Sequence, residues 1–241
     1  MSLALDFAGT YAELDLSGAI YWPDQQILTV ADLHFEKGSS FAAQRYLPVP
    51  PHDTAETLSR LSTVIERYRP RQVICLGDSF HDKAAIGRLN PTDLDDLRQL
   101  GATCDWIWLS GNHDPQPPQS IGGRAAHRIV IGNIVFQHDL DEGTELSSYE
   151  GRKQVFGHYH PIVLLSVGGR LLRRKCFAVG RDRLLQPAFG AYTGGLNVLD
   201  PAIRACFVTG FDVVAVGRNH LHPISAEHLR HETTSFRGGA E

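Results

Sequence analysis

Five short fragments carry residue types that bind divalent cations: Asp32-Leu33-His34, Gly77-Asp78, Gly111-Asn112-His113-Asp114, His138 before Asp139, and Gly157-His158-Tyr159-His160. Carboxylates, imidazoles and an amide oxygen are the donors that two adjacent cations would recruit. One fragment alone is weak evidence, because single aspartates and histidines are more often surface or hydrogen-bonded groups. All five in this order are strong evidence. The chemistry they suit is phosphate-ester hydrolysis, with two metals roughly 3.5–4 Å apart clamping the phosphate and activating a bridging water. Asp78 is the candidate bridging carboxylate; Asp32, His34 and His160 would complete one metal, and Asn112, His138 and His158 the other. Residues two apart point the same way from extended backbone, which would aim Asp32 with His34 and His158 with His160. Gly77, Gly111 and Gly157 permit tight turns and close backbone approach beside the metals.

The elements that position these fragments follow from periodicity. Leu14-Asp15-Leu16 and Ala19-Ile20-Tyr21 flank Ser17-Gly18 as an opening hairpin. Ile27 to Val30 is a strand that delivers Asp32 and His34. Asp53-x-x-Glu56 resembles a capping box, and Leu58, Leu61, Ile65 and Tyr68 follow at helical spacing until Pro70. Gln72 to Leu76 is a buried-type strand leading to Gly77-Asp78. Thr92 is expected to cap a short helix that Gly101 closes. Trp106 to Leu109 is the next strand, apolar on both faces, so its tryptophans belong to the core. Ile129 to Ile131, Gly132-Asn133 and Ile134 to Phe136 form a hairpin that brings His138 to a strand end. Gln154 to Phe156 leads into Gly157-His158.

From Ile162 onward the pattern reads as all strand: Ile162 to Val167, a turn at Gly168-Gly169 into Leu171-Leu172, then Cys176 to Val179, Ile203 to Val208 and Asp212 to Val216. After His220 the chain turns polar. His220, His222, His228 and His231 look metal-like by count, but their spacing fits no tight site and a solvated tail is expected. The domain organisation is therefore one domain over residues 1–219 and a polar tail over 220–241. Strand–helix alternation followed by many strands implies two packed sheets with helices on the outer faces.

Composition sets outer bounds. With 42% apolar and 21% charged residues the chain resembles ordinary globular proteins. A net charge of −4 gives no global attraction to nucleic acid or anionic membrane, so such a partner must be held by a local patch or by metals. The four cysteines are far apart with no C-x-x-C pair, as for reduced thiols in a cytosolic protein. The N-terminus lacks a basic region followed by a sustained apolar run, and no stretch approaches a membrane span; the expected location is cytoplasmic.

The ordered motifs from about Ile27 to Pro161 resemble the calcineurin-like metallophosphoesterase superfamily. Two longer segments, Ala31 to Ala42 (Ala31-Asp32-Leu33-His34-Phe35-Glu36-Lys37-Gly38-Ser39-Ser40-Phe41-Ala42) and Pro187 to Gly195 (Pro187-Ala188-Phe189-Gly190-Ala191-Tyr192-Thr193-Gly194-Gly195), resemble the bacterial ligase-associated DNA-damage-response endonuclease family over nearly the whole chain. The resemblance implies a four-layer αββα sandwich, an α/β (α+β) fold of two mixed sheets flanked by helices. It also implies the metal assignments given above. His113 stands where the superfamily places a residue that stabilises the transition state or protonates the leaving oxygen, a role typically worth roughly 10²–10⁴-fold. Its orienting partner in the phosphatase branch is an aspartate three residues after the bridging one; here that position is His81, as in the double-strand-break-repair nuclease branch. His81 is thus a candidate active-site residue, with Asp82 and Asp114 as candidate partners of His113, although bracing of turns suits both better.

The expected function is a Mn²⁺-dependent phosphodiesterase acting on DNA, an endonuclease in repair beside an ATP-dependent ligase, a helicase and an exonuclease. DNA, repair and manganese follow from the resemblance, whereas nitrogen and oxygen donors equally accept iron or zinc. Short spacings between Asp114, His138 and His158 leave little room for a capping domain. Lys37, Arg173 and Arg174 are candidate phosphate contacts, within a basic run of Arg170, Arg173, Arg174, Lys175, Arg181 and Arg183 that strand alternation could scatter between faces. The acidic Asp139-Leu140-Asp141-Glu142 stretch could gate access. The rivals are a small-nucleotide phosphodiesterase or phosphomonoesterase with the same metals, and a non-catalytic scaffold, which intact ligand positions disfavour.

Overall fold

The computed structural model describes residues 1–7, 9–43, 52–117, 119–140, 151–168 and 170–230. Seven strands form the first sheet in sequence order: β1 (Ser2–Phe7), β2 (Thr10–Asp15), β3 (Ile20–Trp22), β4 (Ile27–Val30), β5 (Gln72–Cys75), β6 (Asp105–Leu109) and β7 (Arg124–Ala126). The first four run antiparallel, and β4 to β7 are parallel. Between the parallel strands lie α1 (Lys37–Ala43), α2 (Asp53–Tyr68), α3 (Ala85–Arg88) and α4 (Pro91–Gly101).

The second sheet is built from β8 (Arg128–Ile131), β9 (Ile134–Gln137), β10 (Lys153–Phe156), β12 (Arg170–Gly180), β13 (Arg183–Leu185), β14 (Phe211–Val216) and β15 (Leu221–Ile224). Its order is β15-β14-β12-β13-β10-β9-β8, and β11 (Ile162–Val167) pairs with β12 alone. Within it β9, β10 and β13 are parallel. Gly168 lies at the β11–β12 turn, while its expected companion Gly169 falls outside the described residues.

Alternation of side chains sorts the layers. On β5 and β6, Val73, Cys75, Trp106 and Trp108 face Leu58, Leu61, Val64, Ile65 and Leu97 of α2 and α4. Ile74, Leu76, Ile107 and Leu109 face the other way and pack with Ile134, Phe136, Val155, Phe177 and Leu184 of the second sheet. The outer face of that sheet carries Phe156, Ala178 and Leu185 against Ile203, Cys206 and Phe207, around α5 (Pro201–Ala205). The expected two sheets with flanking helices are present, and the last layer is thin. At full burial each large aliphatic or aromatic side chain in these layers contributes about 1.5–3 kcal/mol. A buried amide also joins the sheets: Gln186 donates to the Gly18 and Thr29 carbonyls and accepts from the Thr29 hydroxyl.

Four local expectations are corrected. Asn90, not Thr92, caps α4, accepting from Asp93 N at 2.8 Å with Pro91 at the first helical position. Asp53 does not cap α2; it lies inside the first turn, and its carboxylate accepts from Gly38 N at 3.0 Å. The segment expected as a strand from Ile203 to Val208 instead enters helix α5, capped by Asp200. Residues 221–229, expected within a polar tail, do not form one, because Leu221–Ile224 pairs with β14 and Leu229 is buried. Residues 231–241, including His231, lie outside the described residues.

All four cysteines are free, and three are buried. Among the described residues no helix is long and apolar enough to cross a membrane.

Candidate metal centre

The carboxyl-terminal ends of parallel strands from both sheets meet at one place. Loops after β4, β5 and β6 bring Asp32 and His34, Asp78, and Asn112 and His113; loops after β9 and β10 bring His138, His158 and His160. Backbone bonds stitch the loops together. His34 N donates to Asp78 O, Gly157 N to His138 O, and Gly190 N to Asp32 O. The His158 amide donates to the Asp32 carboxylate at 3.0 Å, which pins the second sheet to the first. The His113 amide donates to Asp78 Oδ1 at 2.9 Å.

The local backbone is not the extended chain expected. Asp32, His34, Asp78, His158 and His160 all have positive φ, between 46° and 73°. Non-glycine residues rarely occupy that region, and strain of this kind gathers at functional sites. The paired donors converge through left-handed residues at alternate positions rather than along an extended strand. Close approach requires glycine at two points. A Cβ on Gly157 would stand 2.7 Å from Asp32 Oδ2, and one on Gly111 would overlap Asp78.

Two donor groups stand side by side: Asp32, His34 and His160, and Asp78, His138 and His158. In the first, His34 Nε2 and His160 Nε2 are 3.2 Å apart, with Asp32 Oδ1 3.5 Å from His160 Nε2. In the second, His138 Nε2 is 3.4 Å from Asp78 Oδ2 and 3.0 Å from Asn112 Oδ1, and His158 Nδ1 is also 3.0 Å from that amide oxygen. Asp78 Oδ2 reaches back to His34 Nε2 at 3.9 Å, the position expected of a shared carboxylate. Donors bound about 2.1 Å from one cation stand roughly 3.0–3.4 Å from each other, so most of these spacings suit metal shells.

The tautomers agree. His138 Nδ1 lies 2.8 Å from the Leu76 carbonyl, an acceptor, so that nitrogen carries the proton. Its Nε2 then faces Asp78 and Asn112, which are themselves acceptors, a setting that favours positive charge at that point, whether a proton or a metal ion. The electrostatics concur. Burial opposes a proton on His138, yet the hydrogen bond and charge of Asp78, with the charge of Asp32, raise the imidazole to about 9. Burial drives His34 the other way, down to about 3. Burial alone would raise the Asp32 and Asp78 carboxyls; hydrogen bonds and charge from the surrounding histidines hold both below the usual range. The residues present therefore fit a pair of divalent cations.

His113 sits beside this set. Its Nδ1 lies 2.8 Å from the His81 carbonyl and so donates to it. Neither Asp82 nor Asp114 is its partner. Asp82 pairs with Arg88 at 2.7 Å, and Asp114 braces the turn after Asp78 by accepting from Ser79 N and Phe80 N. A main-chain carbonyl leaves no mark on residue identity, so inspection of side chains missed it. The His81 ring stacks on His113 with centroids 5.0 Å apart at 23°, and its Nδ1 is 3.4 Å from His34 Nδ1.

The basic run scatters, as alternation allows. Lys175 points inward and donates to the Ala188 and Gly190 carbonyls, where burial lowers its ammonium to about 7. Arg173 reaches the Gly195 carbonyl, whereas Arg174 bonds the Arg173 carbonyl. Arg183 is used by Gln154 and the Cys206 carbonyl. Lys37, on α1, is close enough to Asp32, Asp53 and Asp78 for their charges to oppose the effect of its burial. Asp139 stands 3.7 Å from His158 Nε2, and Asp141 and Glu142 of the same acidic stretch lie outside the described residues. Among the described residues His220, His222 and His228 join no donor group.

The family model of calcineurin-like phosphoesterases matches residues 26–220. The chain belongs to that family. It is a metal-dependent phosphoester hydrolase, and the strands and loops just described are the family's fold. Among solved structures, the nuclease MPE of Pseudomonas putida is 26% identical with a TM-score of 0.73, over 93% of this chain and 100% of that one. This is in keeping with the resemblance to the ligase-associated endonucleases. The phosphoesterase Yfce of E. coli is 11% identical with a TM-score of 0.40, over 83% of this chain and 98% of that one. Zinc-complexed Vps29 of Entamoeba histolytica is 18% identical with a TM-score of 0.34, over 82% and 96%. No curated protein sequence matches the chain.

Proposed function

We propose that this calcineurin-like phosphoesterase is a two-metal phosphodiesterase that cleaves DNA, an endonuclease serving repair, with manganese as its working metal. The observation that carries the reading is the complete double donor set combined with His81, not aspartate, in the turn that orients His113. The 26% identity with a nuclease over the full length of that chain supports the same substrate class.

Asp32, His34 and His160 would hold one cation, Asn112, His138 and His158 the other, and Asp78 both. Such cations supply positive charge that neutralises the phosphate and offsets charge building up at phosphorus. Each side chain has a separate task. Leu76, through its carbonyl, keeps His138 in the tautomer that ligates. Asp32 and Asp78 each accept a backbone N–H, from His158 and His113, which fixes the carboxylates before substrate arrives. His113, aligned by the His81 carbonyl, presents its other nitrogen to the leaving oxygen and, as an imidazolium, either donates a proton there or stabilises its charge. Arg173 and Lys37 serve phosphates on either side, with Arg174 in the same basic segment. Work beside an ATP-dependent ligase, a helicase and an exonuclease in the cytoplasm is the setting the family resemblance suggests.

The test incubates metal-stripped protein with circular single-stranded DNA and with an aryl phosphodiester, each with and without manganese, alongside His113→Ala and Asp78→Ala. Manganese-dependent linearisation of the circle, lost in both variants, is the expected result. Ester hydrolysis with the circle left intact would replace DNA by small phosphate esters as the substrate, and inertness toward both would point to a scaffold.

A further inference from the structure

Phe41 stands apart from the apolar clusters formed by the described residues. Phe35, six residues before it, and Phe80, next to its ring partner His81, are 0% and 2% exposed and belong to the helix-side core. Phe41 is partly exposed and, among the described residues, belongs to none of the apolar clusters. Its ring meets two functional groups instead. The His81 ring lies 5.6 Å away at 56°, and the Lys37 ammonium lies 5.8 Å above the ring centroid. His81 in turn stacks on His113, so the three rings form a continuous series that starts beside the candidate metal centre.

The segment that carries Phe41 is tied into the fold by hydrogen bonds. α1 is tied to α2 by Gly38 N to Asp53 Oδ2 at 3.0 Å. The buried Glu36 carboxylate accepts from the Thr54 and Ser39 hydroxyls, and Arg88 Nε donates to Ser39 Oγ at 3.0 Å. A partly exposed aromatic ring held on such a base binds with little loss of side-chain freedom. Planar faces beside a cation are what a nucleotide strand meets in single-strand binding sites, where a base stacks and a phosphate pairs with the cation.

We propose that Phe41 is a specificity-determining residue, a stacking platform for the nucleobase adjoining the scissile phosphate, and that the substrate strand offers that base unpaired. The proposal rests on DNA being the substrate.

The test compares kcat/KM on an oligothymidylate and on a strand of equal length made of tetrahydrofuran abasic nucleotides, which keeps the phosphodiesters and removes the bases. Wild type, Phe41→Ala and Phe41→Tyr are each measured with manganese, and thermal melting confirms that they fold. Phe41→Ala is expected to lose about 5- to 150-fold on the thymidylate, the range for losing one base–aromatic stack, chiefly through KM. It should lose little on the abasic strand, and Phe41→Tyr should retain most of the wild-type preference. An equal loss on both strands, or no loss on either, overturns the platform while leaving DNA cleavage intact. A wild type that cuts neither strand while hydrolysing an aryl phosphodiester would sink the DNA reading and this inference with it.

Discussion

Asp114 gives the sharpest account of how the loops hold their geometry, and two substitutions separate its roles. The carboxylate is 3% exposed, and its Oδ2 accepts from Ser79 N at 3.0 Å and Phe80 N at 3.1 Å, just after Asp78, the proposed shared carboxylate. Among the described residues its Oδ1 has no hydrogen-bond partner. Burial, with the nearby Asp78 charge, raises the carboxyl to about 7 against the bonds from Phe80 and Ser79. Asp114→Ala leaves two buried N–H groups unsatisfied, which costs about 1–3 kcal/mol each, or roughly 2–6 kcal/mol together. That is a large part of the typical stability of a domain. Asp114→Asn keeps an acceptor oxygen for both N–H groups and removes the charge.

The pH dependence follows with a definite sign. A carboxyl raised in the folded state stabilises fully below its unfolded value, and that contribution is lost as pH rises through the folded value near 7. From 3.8 to about 7 the whole effect is roughly 4 kcal/mol, of which roughly 2–3 kcal/mol falls between pH 5 and pH 8. Wild type should therefore lose stability relative to Asp114→Asn across that window. Urea unfolding of metal-free wild type and both variants at pH 5, 6.5 and 8 measures this directly. Equal stability of the Ala and Asn variants, or a wild-type-minus-Asn difference that is flat with pH, would refute the reasoning.

Three further outcomes are expected. His113→Ala should lower kcat on an aryl phosphodiester by roughly 10²–10⁴-fold without changing metal content, checked by steady-state kinetics beside metal analysis. Gly157→Ala places a methyl 2.7 Å from Asp32 Oδ2, so it should weaken metal binding by roughly 10–100-fold, the range for disturbing groups that orient ligands, as read by calorimetric titration. Arg173→Ala should raise KM for an oligonucleotide more than Arg174→Ala does. Only Arg173 is tied to the Gly195 segment, where an added Cβ would meet the His160 carbonyl.

The sequence made the donor types, their order and the strands that deliver them readable, because apolar runs ending in glycine and a ligand leave a strong pattern. Ile27–Val30, Gln72–Cys75 and Lys153–Phe156 are strands close to their expected positions. What it hid is backbone. Positive φ at Asp32, His34, Asp78, His158 and His160 has no letter of its own, so convergence was attributed to extended chain. The partner of His113 is the carbonyl of His81, equally silent. Two misread elements did carry a signal. Asn90-Pro91 and Asp200-Pro201 are each a capping side chain followed by proline at the first helical position, a stronger mark than Thr92 or the β-branched Ile203. Leu221–Ile224 is short and contains Pro223, as an edge strand permits, and periodicity over four residues could not show it.

The central claim is a shared two-metal centre held by Asp78. Metal-stripped protein titrated with manganese, with bound metal and aryl phosphodiester hydrolysis measured at each addition, tests it most directly. Two equivalents should bind per chain, with hydrolysis rising only as the second is taken up, and Asp78→Ala should lose both binding and turnover. Full activity with one equivalent bound, or undiminished binding of two in Asp78→Ala, would contradict the account.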